Sequence, residues 1–567
     1  MPLYRFREFV FTLRGSLLVL GVVWAVVVLI VGLGGEFCVN DDWSFVRAYE
    51  NFVSSGRMPS TGWGPNYAPG GPSLVVHVLW ARLFTFAAGQ SMTVLRLSVM
   101  TMGILGSVGM LILLRRVQCT GVTSLLGALA LVFNPLYLSQ CFTFMSDITF
   151  TALSVYALLF LCLAVQSRST IVLILGFGFC LGAILVRQIG VVIVAAFLWM
   201  CLVHPAGKSM GFVRSLAISV CVVIIPWFIY EFGLLTRNGT NLFSHQVMYN
   251  LIKNFTERAW LGYAKFLAFN LIGALAYCGL FTSPVWILRF EQFLRKKGFV
   301  VFLGIAISAL VLVEIGILTR WLNPPVFFWG NVVLDFGIGP ILLKDAYILK
   351  IHRLGHLEPW AYYAWVFVAV LGVGIIVGRT RIALAWLFKS RSERAHTSFA
   401  AGLTFWSALI YLALICVSSF HDRYLIPLIA WLLVWLAAED PERRSTGKHW
   451  PAAAALAMVG LIGILSLAGM RDFMEMKRAQ YKAQQYVTTQ MGLDPCSLDG
   501  GFEFNGYHCY NSAYAPTRGR SWWWVHEEKA VLSLGPLPGY RIQQVFPFNR
   551  VLGPHGGVYV LTPEPPG

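Results

Sequence analysis

Long apolar runs alternate with short polar turns over most of the chain. They fall near 16–35, 92–114, 121–138, 148–166, 169–186, 189–203, 215–231, 261–288, 299–318, 361–378, 400–420, 424–438 and 451–470. A bilayer crossing takes about 20 apolar residues in a helix, so these thirteen runs predict an all-α polytopic membrane protein of about 13 transmembrane helices. Beyond residue 470 the long runs stop and Gly, Pro and aromatic residues take over. Arg471–Met491 reads as an amphipathic helix leaving the membrane, and Ala530–Leu534 and Gly557–Leu561 as short strands. Two parts are expected: a transmembrane domain over 1–470 and a small α+β domain over 471–567.

Composition excludes a soluble alternative. Of 567 residues, 57% are hydrophobic and only 12% charged, whereas a soluble domain carries roughly 25% charged residues to wet its surface. The net charge of +17 would suggest nucleic acid in a soluble protein, but here its distribution reports sidedness. Nearly half of the 43 Lys and Arg sit in short turns at alternate span ends, such as Arg115-Arg116, Arg295-Lys296-Lys297 and Arg443-Arg444. Those turns read as cytoplasmic. The alternation then places the N-terminus inside, and the tail and the long loops 36–91, 232–260 and 319–360 outside. The first run has basic flanks but no small-residue cleavage site, and it reads as a retained span. Nine of the eleven cysteines lie in or beside apolar runs, as small buried hydrophobes do. Cys496 and Cys509 lie in the tail, on the oxidising side, where a disulfide is expected.

Candidate chemistry lies in the outer loops. Asn40-Asp41-Asp42-Trp43 follows the first span, and Asp147 opens the helix after a very short second outer loop. Carboxylates at the hydrocarbon boundary are costly. Asp41, Asp42 and Asp147 therefore read either as helix N-caps or as a general base and its binding partner facing one cavity; a divalent cation is also compatible with the acidic pair. In His421-Asp422-Arg423-Tyr424, Arg423 is placed to bind phosphate, or else to snorkel beside an aromatic anchor. Arg187 at an outer turn, and Arg320 and Lys344 in the third long loop, are further candidates for the cavity or for a second phosphate contact. His352 and His356 have a helical spacing with Glu358 near, but no clear fourth metal ligand. Asn238-Gly239-Thr240 and Asn254-Phe255-Thr256 are sequons that matter only in a eukaryotic host. Trp522-Trp523-Trp524 reads as packing rather than sugar stacking.

The order of these features resembles the polytopic GT-C glycosyltransferases, in particular the family-39-like group of protein O-mannosyltransferases and lipid A aminoarabinose transferases. The likeness rests on Asn40-Asp41-Asp42, Gly70-Gly71-Pro72 leading into a reentrant-looking helix, Val94-Leu95-Arg96-Leu97-Ser98, Phe133-Asn134-Pro135, Phe144-Met145-Ser146-Asp147 and Asp422-Arg423-Tyr424-Leu425. It covers roughly residues 1–435. The resemblance implies an inverting hexosyl or pentosyl transfer from a polyprenyl-phosphate donor to a lipid, glycan or protein acceptor on the outer side, with Asp41 or Asp42 as base, Asp147 contributing and Arg423 at the carrier phosphate. No nucleic-acid partner and no definite cofactor are expected. A bacterial inner membrane is expected because Pro566-Gly567 forms no eukaryotic retention signal. The competing reading is a transporter or flippase of a lipid-linked or small polar substrate. Its ionisable groups should sit at the bilayer midplane, whereas here they cluster at one face.

Overall fold

The computed structural model describes residues 10–56, 73–234, 256, 260–290, 332–334, 337–351, 353–354, 359–390, 392, 398–417, 421–438, 450–511, 513–514 and 523–565. Twelve of the thirteen apolar runs are helical there; the run 299–318 lies outside the described residues.

The chain enters through α1 (Leu13–Val31), followed by α2 (Asp42–Ser55) and α3 (Val75–Ala88) in the first long loop. Next come α4 (Met92–Arg116), α5 (Gly121–Val132), α6 (Pro135–Gln140), α7 (Asp147–Ser167), α8 (Thr170–Ile184) and α9 (Val191–Val203). The run 121–138 is two helices because Asn134 caps the second, accepting from the N–H groups of Leu136 and Tyr137, and Pro135 cannot continue the first. A helical segment over Phe212–Gly233 precedes α10 (Trp260–Phe281) and α11 (Ser283–Leu288), which are again separated before a proline, Pro284. The membrane part closes with α12 (Pro359–Ala385), α13 (Phe399–Val417), α14 (Leu425–Ala437) and α15 (Trp450–Gln485).

Eight helical segments among the described residues are long and apolar enough to cross a bilayer. Large apolar side chains on them face outward: Leu29 is 83% exposed and Trp260 76%. Such surfaces are untenable in water and suit lipid. This is an integral membrane protein. α3, at 14 residues and ~1.5 Å per residue, is too short for a core of about 30 Å.

α15 runs for 36 residues through position 470 without a break and carries the chain out of the apolar part. Beyond it lie β1 (Leu498–Asp499), α16 (Phe502–Cys509), β2 (Ala530–Ser533), β3 (Tyr540–Phe548) and β4 (Gly556–Pro563). The four strands form one sheet in the order β1-β2-β4-β3, parallel at β1/β2 and antiparallel elsewhere. β3 lies at the edge, with Arg541, Ile542, Gln543 and Gln544 exposed, while β2 and the centre of β4 are buried. Cys496 and Cys509 are bonded, their Cα atoms 5.5 Å apart. The tail is therefore an α+β unit packed on α15, and most of its buried apolar side chains are continuous with those of the membrane helices.

Candidate active site

Asp41 occupies the N-cap position of α2, yet its side chain makes no capping hydrogen bond. Its Oδ2 instead accepts from Arg423 Nη2 at 2.6 Å, across 382 positions of chain. The Asp41 side chain keeps 17% of its surface exposed and that of Arg423 6%. Asp147, the first residue of α7, likewise makes its ion pair elsewhere: its Oδ2 accepts from Arg187 Nη2 at 2.8 Å, while Arg187 Nε donates to Ser146 Oγ at 3.1 Å. The two pairs meet at Tyr424, whose ring lies 5.2 Å from the Arg187 guanidinium and 5.5 Å from that of Arg423. Tyr411 Oη on α13 donates to the Tyr424 carbonyl at 2.8 Å and fixes the turn. Four stretches of sequence thus deliver two carboxylates and two guanidinium groups to one hollow.

Asp42 has a different environment. It is buried, and both of its oxygens accept backbone N–H groups, Oδ1 from Val39 at 2.6 Å and Oδ2 from Phe144 at 3.1 Å. The second bond ties the first outer loop to the second, which brings Asp147 beside Asp41. Burial pushes the Asp42 carboxyl up to about 7, against the pull of Arg96 and the two backbone bonds. His77 on α3 holds Phe144 from the other side: its Nε2 faces the Phe144 carbonyl at 3.3 Å and its Nδ1 pairs with Thr149 Oγ1 at 2.9 Å. A proton on Nε2 satisfies that carbonyl, which leaves Nδ1 to accept from the threonine hydroxyl. Arg96, buried at the start of α4, donates to the carbonyls of Leu33, Gly35 and Phe37 and covers the Phe37 ring at 4.3 Å. It fastens the strap from α1 to Asp41.

Asp422 is buried and accepts from the N–H groups of Val332, Val333 and Arg423 at 2.9, 3.0 and 2.8 Å. Burial raises its carboxyl, and these three bonds and Arg423 oppose the rise. This anchor attaches the third long loop to the turn that carries Arg423. Burial works against the Arg423 charge, but Asp41, Tyr424 and Asp147 hold the guanidinium protonated. His421 sits edge-on to Tyr424 at 5.4 Å. Burial and then Arg423 lower its imidazole to about 4, so it is neutral near pH 7.

A small apolar cavity of about 20 Å³ lies next to Val333, lined by Pro135, Phe281, Ile338, Trp365 and Leu465 among others. Lys344 turns away from the hollow and pairs with Glu528 of the tail at 2.6 Å. Arg320, Trp522, His352, His356, Glu358, the Gly70-Gly71-Pro72 stretch, the first sequon and Asn254 of the second lie outside the described residues. Among the described residues, no three His, Cys, Asp or Glu side chains gather as a metal site.

Sequence reasoning missed the roles of Arg96, His77 and His421. Arg96 and His77 carried a readable signal, a polar side chain at the start of an apolar helix, where burial demands a partner. His421 was quoted only as part of a motif.

No protein-family model matches the sequence, and no curated protein does. The chain is similar to several solved structures. One is ArnT from Cupriavidus metallidurans bound to undecaprenyl phosphate, at 13% identity and a TM-score of 0.43, covering 83% of this chain and 70% of that one. Another is the Archaeoglobus fulgidus oligosaccharyltransferase in its apo form, at 16% and 0.45, where the match covers 84% of this chain and 58% of the other. The arabinosyltransferase EmbB from Mycobacterium smegmatis is similar at 12% and 0.29, over 80% of this chain and 42% of that one.

Proposed function

We propose that this protein is a membrane glycosyltransferase that moves a sugar from a polyprenyl-phosphate donor to an acceptor hydroxyl on the outer side, with residues 1–470 as the catalytic part and 471–567 as an outer domain. The supporting observation is the pairing of Asp41 with Arg423 beside that of Asp147 with Arg187, around one tyrosine. A lipid-phosphate sugar needs a phosphate anchor and a base within one hollow at headgroup depth, and these four groups supply both.

Of the two adjacent aspartates, Asp41 is the better base. Its carboxylate is partly open and makes its ion pair with a side chain that a phosphate can take over, whereas both oxygens of Asp42 are committed to backbone N–H groups. On donor binding the phosphate competes with Asp41 for Arg423, and the freed carboxylate faces the acceptor. Asp41 then takes the acceptor hydroxyl proton as its oxygen bonds to the anomeric carbon from the side opposite the phosphate. The bond from that carbon to the phosphate oxygen breaks, and Arg423 and Arg187 hold the charge that develops on the leaving group. Attack from the opposite side inverts the anomeric carbon.

The test is reconstitution of the purified protein with a polyprenyl-phosphate sugar and candidate acceptors. Carrier phosphate should be released in step with glycosylated product and in proportion to active protein. Release that is absent with every acceptor, or that survives Asp41→Asn at full rate, rejects the reading.

A further inference from the structure

Helix α16 of the tail lies against α2, the helix that Asp41 opens. Trp43 is enclosed by Phe502, Tyr510 and Trp524, with ring centroids 6.0, 5.5 and 5.5 Å away. Gly506 lies so close that a Cβ there would come within 2.5 Å of the indole, so only glycine lets α16 approach this far. Arg47 donates to the Gly506 carbonyl at 3.4 Å, and Tyr507 Oη donates to Glu50 at 2.7 Å. At the near end of α16, Glu503 Oε1 accepts the Lys477 ammonium at 2.6 Å and the backbone N–H of Asn40 at 3.2 Å. Both members of that ion pair are 3% exposed. Asn40 itself has φ +56, a left-handed conformation that a residue with a side chain holds only when its surroundings impose it. The far end of α16 is closed by the Cys496–Cys509 disulfide.

We propose that Glu503 is a positioning residue for Asp41, so that the outer domain sets the geometry of the base. Lys477 belongs to α15, the long helix that runs from the apolar part into the tail. A carboxylate pinned to that helix holds the Asn40 N–H, and the held amide fixes the turn from which the Asp41 side chain departs. Neither Glu503 nor Lys477 needs to touch a substrate. The kinetic side of this proposal rests on the transferase reading above, and its geometric side does not.

The experiment compares the full-length protein with two double variants, Glu503→Leu with Lys477→Met and Glu503→Gln with Lys477→Met. The Glu503→Leu variant leaves no unpaired buried charge and so avoids the penalty that would unfold a single substitution. It lacks the acceptor for the Asn40 N–H. Displacing a reacting group by ~1 Å costs about 100-fold in rate, so the Glu503→Leu variant should lose roughly 10- to 100-fold in kcat with donor KM little changed. Glu503→Gln, made together with Lys477→Met so that no ammonium is left buried without its carboxylate, still accepts the Asn40 N–H through its amide oxygen and should keep most of the wild-type kcat. Hydrogen–deuterium exchange should accelerate at residues 39–42 of the Glu503→Leu variant and stay unchanged in α4 and α7. Wild-type kcat in the Glu503→Leu variant, or wild-type exchange at 39–42, overturns the proposal. If the wild-type protein turns over no lipid-linked sugar, the transferase reading fails, and the exchange comparison alone still decides whether Glu503 positions the loop.

Discussion

Asp41 and Asp42 are adjacent in the chain, and their surroundings give them different tasks. Asp41 meets an arginine in a partly open hollow; Asp42 closes two backbone N–H groups inside the protein. Asp41→Asn should therefore lower kcat by roughly 10²- to 10⁴-fold, the usual contribution of a general base, measured as carrier release under saturating donor. Asp42→Asn should affect folding more than chemistry, and its signature is a pH dependence. The Asp42 carboxyl titrates at about 7 in the folded protein, above the 3.8 of an exposed aspartate. Below 3.8 both states hold the proton and the group has no effect on stability. As pH rises from there through about 7, the unfolded chain releases a proton that the folded one keeps, so stability falls across that window and levels off above it. Thermal unfolding in detergent at a series of pH values should show this slope in the wild type and a flatter one in Asp42→Asn. An identical slope in both would reject the assignment. An acidic pair near the membrane was legible from sequence as the place to look. Which member faces the hollow was not, because that depends on Val39, Phe144 and Arg423, and the last two lie far away in the chain.

At the scale of elements, the short turn between α13 and α14 carries Arg423, the proposed phosphate contact, and the turn before α9 lends Arg187. Each arginine answers one carboxylate and both rest on Tyr424. Arg423→Ala should raise donor KM more than acceptor KM, with Arg187→Ala adding to the effect; a donor dependence unchanged in both variants rejects the phosphate role. The apolar runs located the helices because each run must satisfy its own backbone in lipid. They hid the breaks at Pro135 and Pro284, since a proline within an apolar run changes the helix without changing its hydropathy. Capping propensity pointed to Asp41 and Asp147 at helix starts, and the structure shows both side chains turned away from capping toward arginines.

For the whole molecule, the bonds that join the tail to the rest of the chain include Glu503 with Asn40, Tyr507 with Glu50, Lys344 with Glu528, and Asp345 with Ser533 and Leu534. The disulfide closes a separation of 13 residues within it. Replacing Cys496 and Cys509 by Ser should cost about 3 kcal/mol in tail stability, read as a lowered unfolding midpoint that reductant reproduces in the wild type and leaves unchanged in the variant. Sequence by itself determined the membrane class, the helical segments among the described residues and the short list of polar residues at span ends, because the bilayer imposes a uniform apolar length on every crossing and penalises each charge near it. Only the tertiary structure decided which carboxylate meets which arginine, that Lys344 serves the tail, and that Glu503 reaches Asn40 across 463 positions. Those choices depend on groups distant in the chain meeting at hydrogen-bond range, and local pattern holds no record of which distant partner a buried charge will find.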